Sequence, residues 1–305
     1  MPTVTSTYAG EVYQEMKAIL LTENETVQRG LVNVIDNITY KTVIPRVKVS
    51  GMIGPRVAKP TTSYGTSTVD EKVLTPSDAM LYHEFNPRNF EKFWRPYQPQ
   101  GQLVFRELPT EVQIPFLAAI ARYTKNWVGS KLWVGDKAGA AGADNNNLVD
   151  GIITKALADS DVIDIASPVA LTTANIQAKM QLVYDAVPAA VKQNSNFRMF
   201  IDDAAAELYT TAVHDQTSKG NDFTQGAPMS FRGKPVERLV GMKANTILAT
   251  HSALGPESNL HLAIDWDQQS IDAGMDAILI DRVANNAETY FIRMDFKMDT
   301  GISFG

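Results

Sequence analysis

The sequence predicts an α+β protein framed by one long helix and one long terminal strand. Two periodicities carry that prediction. From Thr110, the run TEVQIPFLAAIARYTKNWVGSKLWVG sets Val112, Phe116, Leu117, Ile120, Tyr123, Trp127 and Val128 at three- and four-residue steps, the spacing of one helix face. Near the C-terminal end, Tyr290, Ile292, Met294, Phe296 and Met298 alternate with Arg293, Asp295, Lys297 and Asp299, the period of a half-buried strand. A third observation limits the architecture: short helical and strand patterns mix along the chain, and no repeat of about 20–50 residues joins them into a solenoid or propeller.

Taken in order, residues 1–9 are small and polar. Gly10 to about Asp36 reads as a broken helix, with Val12, Met16, Ile19, Leu20, Val27, Leu31, Val34 and Ile35 on its apolar stripe. Residues 40–76 change character to Thr, Ser, Val, Gly and Pro, which predicts extended strands around a long loop. Such a segment cannot bury a core of its own, so it is disordered or lies on a neighbouring molecule. Met80, Leu81, Tyr82 and Phe85 return to dense packing, and Asn86-Pro87 opens a helix carrying Phe90, Phe93, Trp94 and Tyr97.

The long helix follows, with Thr110 and Gln113 in a capping box. It is expected over 110–129 and runs into Gly135 and the loose loop AGAAGADNNN. Ile152–Leu157 is a short apolar segment, and Asp159, Asp161 and Asp164 after it read as a solvated face. A second helix places Ile176, Met180, Val183, Val187 and Val191 on one side. Phe197–Ile201 is a buried strand, and Asp202-Asp203 caps the helix after it. Met229–Val236 reads as a hairpin, Ile247–Thr250 as a strand, and NLHLAIDWD as a half-buried strand.

The 305 residues carry a net charge of −6 with ordinary globular composition. That balance argues against a dedicated nucleic-acid binder, whose footprint is basic, without excluding a protein that encloses nucleic acid. The absence of cysteine removes disulfides, thiolate metal sites and thiol nucleophiles. The N-terminus has neither the basic start nor the apolar block of a signal peptide, and no apolar run approaches a membrane span, so a cytoplasmic origin is expected. His261, Asp265 and Asp267 suggest metal ligands, but four residues along a strand separates His261 from Asp265 by about 13 Å, and Asp265 with Asp267 could share an ion only with ligands from elsewhere. No nucleotide loop or serine elbow is found. No catalytic, cofactor-binding or metal-ligating residue is therefore expected, and no cofactor.

The order of parts resembles the major capsid proteins of tailed bacteriophages, the Hong Kong 97 fold. FLAAIARYTKNWVGSKLWVGD with LVDGIITKA is similar to that family's spine helix and its return. NIQAKMQLVYDAVPAAVKQNSNFRMFIDDAAAELYTTAVHD is similar to the helix, strand and helix of the axial domain, with SFRGKPVERLVGM and NLHLAIDWD as its later strands. YFIRMDFKMDTGISF is similar to the strand that returns to the peripheral domain. The resemblance implies an N-terminal arm over 1–38 and an extended β-hairpin loop over 39–78. It implies a peripheral domain over 79–168 and 284–305, and an α/β axial domain over 169–283.

It further implies a structural protein of the virion capsid, made in the host cytoplasm. Its partners would be copies of itself in hexamers and pentamers, a separate scaffold protein, a portal and decoration proteins. Packaged DNA would be touched weakly and without sequence preference, and no membrane would be involved. Arg46, Lys48, Arg56, Lys59 and Lys72 are then expected to meet acidic patches on adjacent subunits. Some relatives join a loop lysine to a neighbour's asparagine; Lys48, Lys59 and Lys72 lie in that region, with no matching motif around them. Two other readings are an encapsulin-type compartment, told apart by protein cargo rather than DNA inside, and an α/β enzyme, told apart by stabilisation on binding a metabolite.

Overall fold

The computed structural model describes residues 6–7, 25–36, 38, 40–58, 63–86, 110–142, 145, 147–165, 169–214, 229–265, 278–283 and 289–304. In chain order its elements are β1 (Ser6–Thr7), α1 (Glu25–Gln28), β2 (Asn33–Asp36), β3 (Thr42–Ser50), β4 (Thr66–Leu74) and β5 (Ser77–Phe85). Next come α2 (Thr110–Val134), α3 (Ile152–Ala158), α4 (Ile176–Ala186), α5 (Ala189–Gln193), β6 (Phe197–Asp202) and α6 (Asp203–His214). The chain closes with β7 (Ser230–Phe231), β8 (Lys234–Leu239), β9 (Ile247–His251), β10 (Leu260–Asp265), β11 (Ile278–Arg282) and β12 (Tyr290–Ile302).

β12 is the hub of the larger sheet, ordered β1-β11-β12-β10-β2 with β5 also on β12. One edge of β12 pairs antiparallel with β5 from Tyr290 to Met298. The other edge pairs with β11 along its first part and with β10 along its second. Thirteen residues are needed because two shorter strands share that edge. The alternation read from the sequence holds: Tyr290, Ile292, Met294, Phe296 and Met298 are buried, and Arg293 is exposed.

α2 lies on this buried face. Its inward residues are Leu117, Ala121, Thr124, Val128 and Leu132, and Trp127 meets Phe296 edge-on at 5.8 Å. Tyr123, expected on the inner stripe, is exposed, because six residues of helix turn it roughly 120° from Leu117. The helix continues to Val134 rather than ending near residue 129. Gly135 and Gly151 then cross closely. Gly151 N donates to Gly135 O at 2.8 Å, and a Cβ on Gly151 would lie 2.6 Å from the Trp133 carbonyl. Only glycine allows that approach.

The smaller sheet runs β7-β8-β6-β9 and has its own core of Ile176, Met180, Phe197, Met199, Ile201 and Tyr209. The expected apolar face of the second helix is found, but Pro188 divides it into α4 and α5, as a residue without an N–H must. Asp202 accepts from Ala205 N at 3.2 Å, the expected cap. Arg232 and Gly233 turn β7 into β8 with positive φ, the conformation that matches strand twist in a two-residue hairpin.

Three expectations are corrected. Residues 33–36, assigned to a helical N-terminal arm, form β2, parallel to β10. Gly30 at φ 64° stops α1, and the β-branched Val34 and Ile35 suit the strand that tertiary pairing offers. Ser77–Phe85, read only as dense packing, is β5. β10, expected half-buried and within 169–283, is buried along its whole length and lies between β12 and β2; β11, also within 169–283, joins the same large sheet. The expected helix from Asn86-Pro87, its aromatic cluster and the arm before residue 25 fall outside the described residues, apart from β1.

Candidate assembly interface

β3 and β4 form a two-stranded antiparallel ribbon in register from Thr42↔Leu74 to Ser50↔Thr66. At about 3.3 Å per residue, nine residues make it roughly 30 Å long. One face of it carries apolar side chains in the open, because Val43 opposes Val73 and Val47 opposes Val69. Val43, Val47, Val49, Val69 and Val73 are exposed along the strands, and Ile53 beyond them is 97% exposed. Single exposed hydrophobics are unremarkable, but a contiguous apolar surface marks an interaction site. Among the described residues neither β3 nor β4 has a second strand partner, so the ribbon also presents two unpaired backbone edges.

The root is held quite differently. Leu74 is buried with Ile38 and Ala263, and Ile44 packs beside them. Arg46 is only 4% exposed. It pairs with its cross-strand partner Asp70 and with Asp161 at 3.2 Å, and donates to the Ser303 carbonyl at 3.1 Å. Lys72 pairs with Asp159 at 2.6 Å. Below them, Asp299 accepts from Thr75 N at 2.7 Å and from Lys155 at 2.6 Å. Ribbon, linker and C-terminal strand are thus tied together by charge-assisted bonds, which are about twice as strong as neutral ones.

These contacts set the local titration. Burial lowers the Arg46 guanidinium, but its bonds to Asp70 and Asp161 outweigh this and raise it above its ordinary value. Arg46 holds Asp70 below the usual carboxylate range, and Lys72 does the same to Asp159.

The five loop cations therefore divide. Arg46 and Lys72 face acids of their own chain, and those acids, Asp159 and Asp161, are the ones read as a solvated face. Lys48 and Arg56 are exposed, and Lys59 lies outside the described residues. The alternation of Arg46 and Lys72 with outward valines is visible in the sequence; their partners more than eighty residues away are not.

A second surface adjoins the root. A groove of about 340 Å³ runs between α3, residues 162–165, α4, β9 and Phe304. Its walls are apolar, and Leu157, Ile163, Val169 and Leu182 remain exposed along them. Asp164 sits on its margin with no cation in ion-pair range among the described residues. β9 lines one side, and among the described residues it pairs with β6 alone.

His261 is buried between Asn33, 3.1 Å from Nδ1, and Ser303, 2.5 Å from Nε2. Burial lowers it to about 4, so it is a neutral hydrogen-bonding core residue at pH 7. Among the described residues no group of three His, Cys, Asp or Glu side chains is placed to hold a metal ion, and no helix is long and apolar enough to cross a membrane.

No family model matches the chain, and no curated protein is similar to it. Solved structures are similar in shape over almost its whole length. A chain of the satellite phage P4 procapsid with size determination protein superposes with a TM-score of 0.57 at 11% identity, covering 95% of each chain. A chain of the cyanophage A-1(L) capsid gives 0.57 at 14% identity, over 99% of this chain and 93% of that one. The capsid of a native GTA particle gives 0.51 at 14% identity, over 100% and 92%. With an α2 spine against β12, a projecting β3–β4 ribbon and a separate small sheet, and with this likeness over nearly the whole chain, the protein has the Hong Kong 97-like capsid fold.

Proposed function

We propose that this chain is the major capsid protein of a tailed bacteriophage. Copies associate as hexamers and pentamers and close into an icosahedral shell around double-stranded DNA. The observation that carries this reading is the ribbon: beyond its anchored root it projects apolar side chains and open strand edges that no described residue of its own subunit covers. A shell subunit needs such broad contacts with several neighbours rather than one pocket. The likeness to capsid chains supports the same reading.

In this assignment residues 39–78 are the extended loop, the sheet around β12 with α2 is the peripheral body, and the β6–β9 sheet is the axial body. Lys48, Arg56 and, by its position, Lys59 contact neighbouring subunits. Arg46 and Lys72 set the loop's direction from within. A net charge of −6 keeps contact with packaged DNA weak, since phosphate binding scales with cationic contacts. A separate scaffold protein, a portal and decoration proteins complete the particle, which forms in the host cytoplasm. Electron microscopy of the protein co-expressed with its scaffold is expected to show closed shells or capsomers. A stable monomer under every condition would refute the proposal.

A further inference from the structure

We infer that residues 26–36 are a brace that fixes the smaller sheet against the larger one, with Arg29 as its releasable hook. The device lies within one subunit and goes beyond the capsid reading. The segment bonds to both bodies in turn. Thr26 is buried and accepts from Trp133 Nε1 at 3.2 Å, at the end of α2. Arg29 donates to the Arg238 carbonyl at 3.0 Å and pairs with Glu237 at 3.5 Å, both on β8. Glu237 in turn holds Arg198 on β6. The Leu31 carbonyl accepts from the Ser252 hydroxyl, just past β9. Residues 33–36 then pair with β10.

The junction is built so that this brace matters. Between described elements the chain crosses from one body to the other after α3 and after β9. Both crossings border the apolar groove, through residues 162–165 and through His251 and Asn259. The groove's walls come from both bodies, α3 and Phe304 from one, α4 and β9 from the other, so packing is incomplete along that line. Arg29 grips β8, which lies on the far side of β6 from β9. The brace therefore holds the smaller sheet at the edge opposite the groove. Its inner part is fixed: Leu31 and Val32 are fully buried in the core that Phe200 and Leu239 of the smaller sheet also enter. Its hook is not: Arg29 leaves 42% of its side chain exposed, and exposed ion pairs hold weakly. Release of Arg29 keeps the buried anchor as a pivot and frees the smaller sheet to turn about it, widening or narrowing the groove.

The absence of cysteine lets two spin labels report the angle. Asn126→Cys on α2 and Ala178→Cys on α4, both at exposed positions, are labelled in the whole chain before assembly, and their separation is read by double electron–electron resonance. One narrow distance distribution is expected. Adding Arg29→Ala should lose that single peak to a broader spread, with the circular dichroism of the parent retained. Arg293→Ala removes a comparably exposed pair, with Asp295 inside the larger sheet, and should leave the peak unchanged. An unchanged peak in Arg29→Ala overturns the brace. So does a broad distribution in the parent, or equal broadening by Arg293→Ala, which would mean general loosening. No shell is needed for the measurement, so its failure leaves the capsid reading standing, and failure of the parent protein to make shells leaves the brace standing.

Discussion

Arg46 shows how a residue's role follows from its depth. A lysine or arginine on a Val- and Thr-rich ribbon reads as a surface charge, yet this one is sealed beneath the linker and the C-terminal strand, with Nε left unbonded. Its Asp70 partner and the Lys72–Asp159 pair work above the ordinary carboxylate value of about 4. Both carboxylates are lowered in the fold, so their contribution is present at neutral pH and disappears as pH falls through the lowered values. Hydrogen exchange at the Val43 and Val73 amides should accelerate below about pH 4, well before global unfolding. Arg46→Met should reproduce that acceleration at pH 7 and lower Tm by about 2 °C. Unchanged exchange would mean that Leu74 and its apolar neighbours hold the root alone.

His261 also loses its contribution on acidification, but in a higher pH window. Its folded value of about 4 lies below the unfolded one, so the unfolded chain takes up a proton first as pH drops. Stability should fall between about pH 6.5 and 4, by on the order of 3 kcal/mol in denaturant titrations. His261→Gln should flatten that slope while keeping hydrogen-bonding groups toward Asn33 and Ser303.

At the scale of elements, the ribbon is anchored at one end and free at the other, so its two halves can be altered independently. Replacing residues 51–65 with an Asn-Gly turn leaves the Ser50↔Thr66 pair in place and suits a two-residue hairpin. The shortened protein should keep the parent's circular dichroism and Tm and fail to form shells; normal shells would remove the ribbon from the assembly mechanism. The α2 terminus predicts the reverse. Gly151→Ala drives a Cβ into the Trp133 carbonyl, a clash with backbone that cannot rotate away. It should cost about 1–3 kcal/mol and be read as a lower Tm in the unassembled protein, with shells still forming below the new midpoint.

At the scale of the whole molecule, the described chain buries two cores well, one around β12 and one around β6, and leaves its longest ribbon bare. That division suits a subunit whose body folds alone and whose projections gain contacts only on association. Stability should therefore depend on assembly by mass action. Shells are expected to melt at a higher temperature than capsomers from the same preparation, and the shortened-ribbon protein should match the capsomers. Equal melting of shells and capsomers would mean that the contacts between capsomers contribute little.

Period and local chemistry were enough to place α2, β6, β9, β12, the Asp202 cap and the 230–236 hairpin, because alternation, capping and turn preferences act over a few residues. They also marked 40–76 as a segment unable to cover itself. Tertiary structure decided the rest. β2 and β5 are strands because β10 and β12 offer them edges, β10 is central because strands flank it on both sides, and Arg46 is buried because Asp161 and Ser303 close over it. Pairing across more than a hundred residues leaves no periodic trace in sequence: a backbone edge binds any strand of suitable shape, and only the assembled sheet selects which.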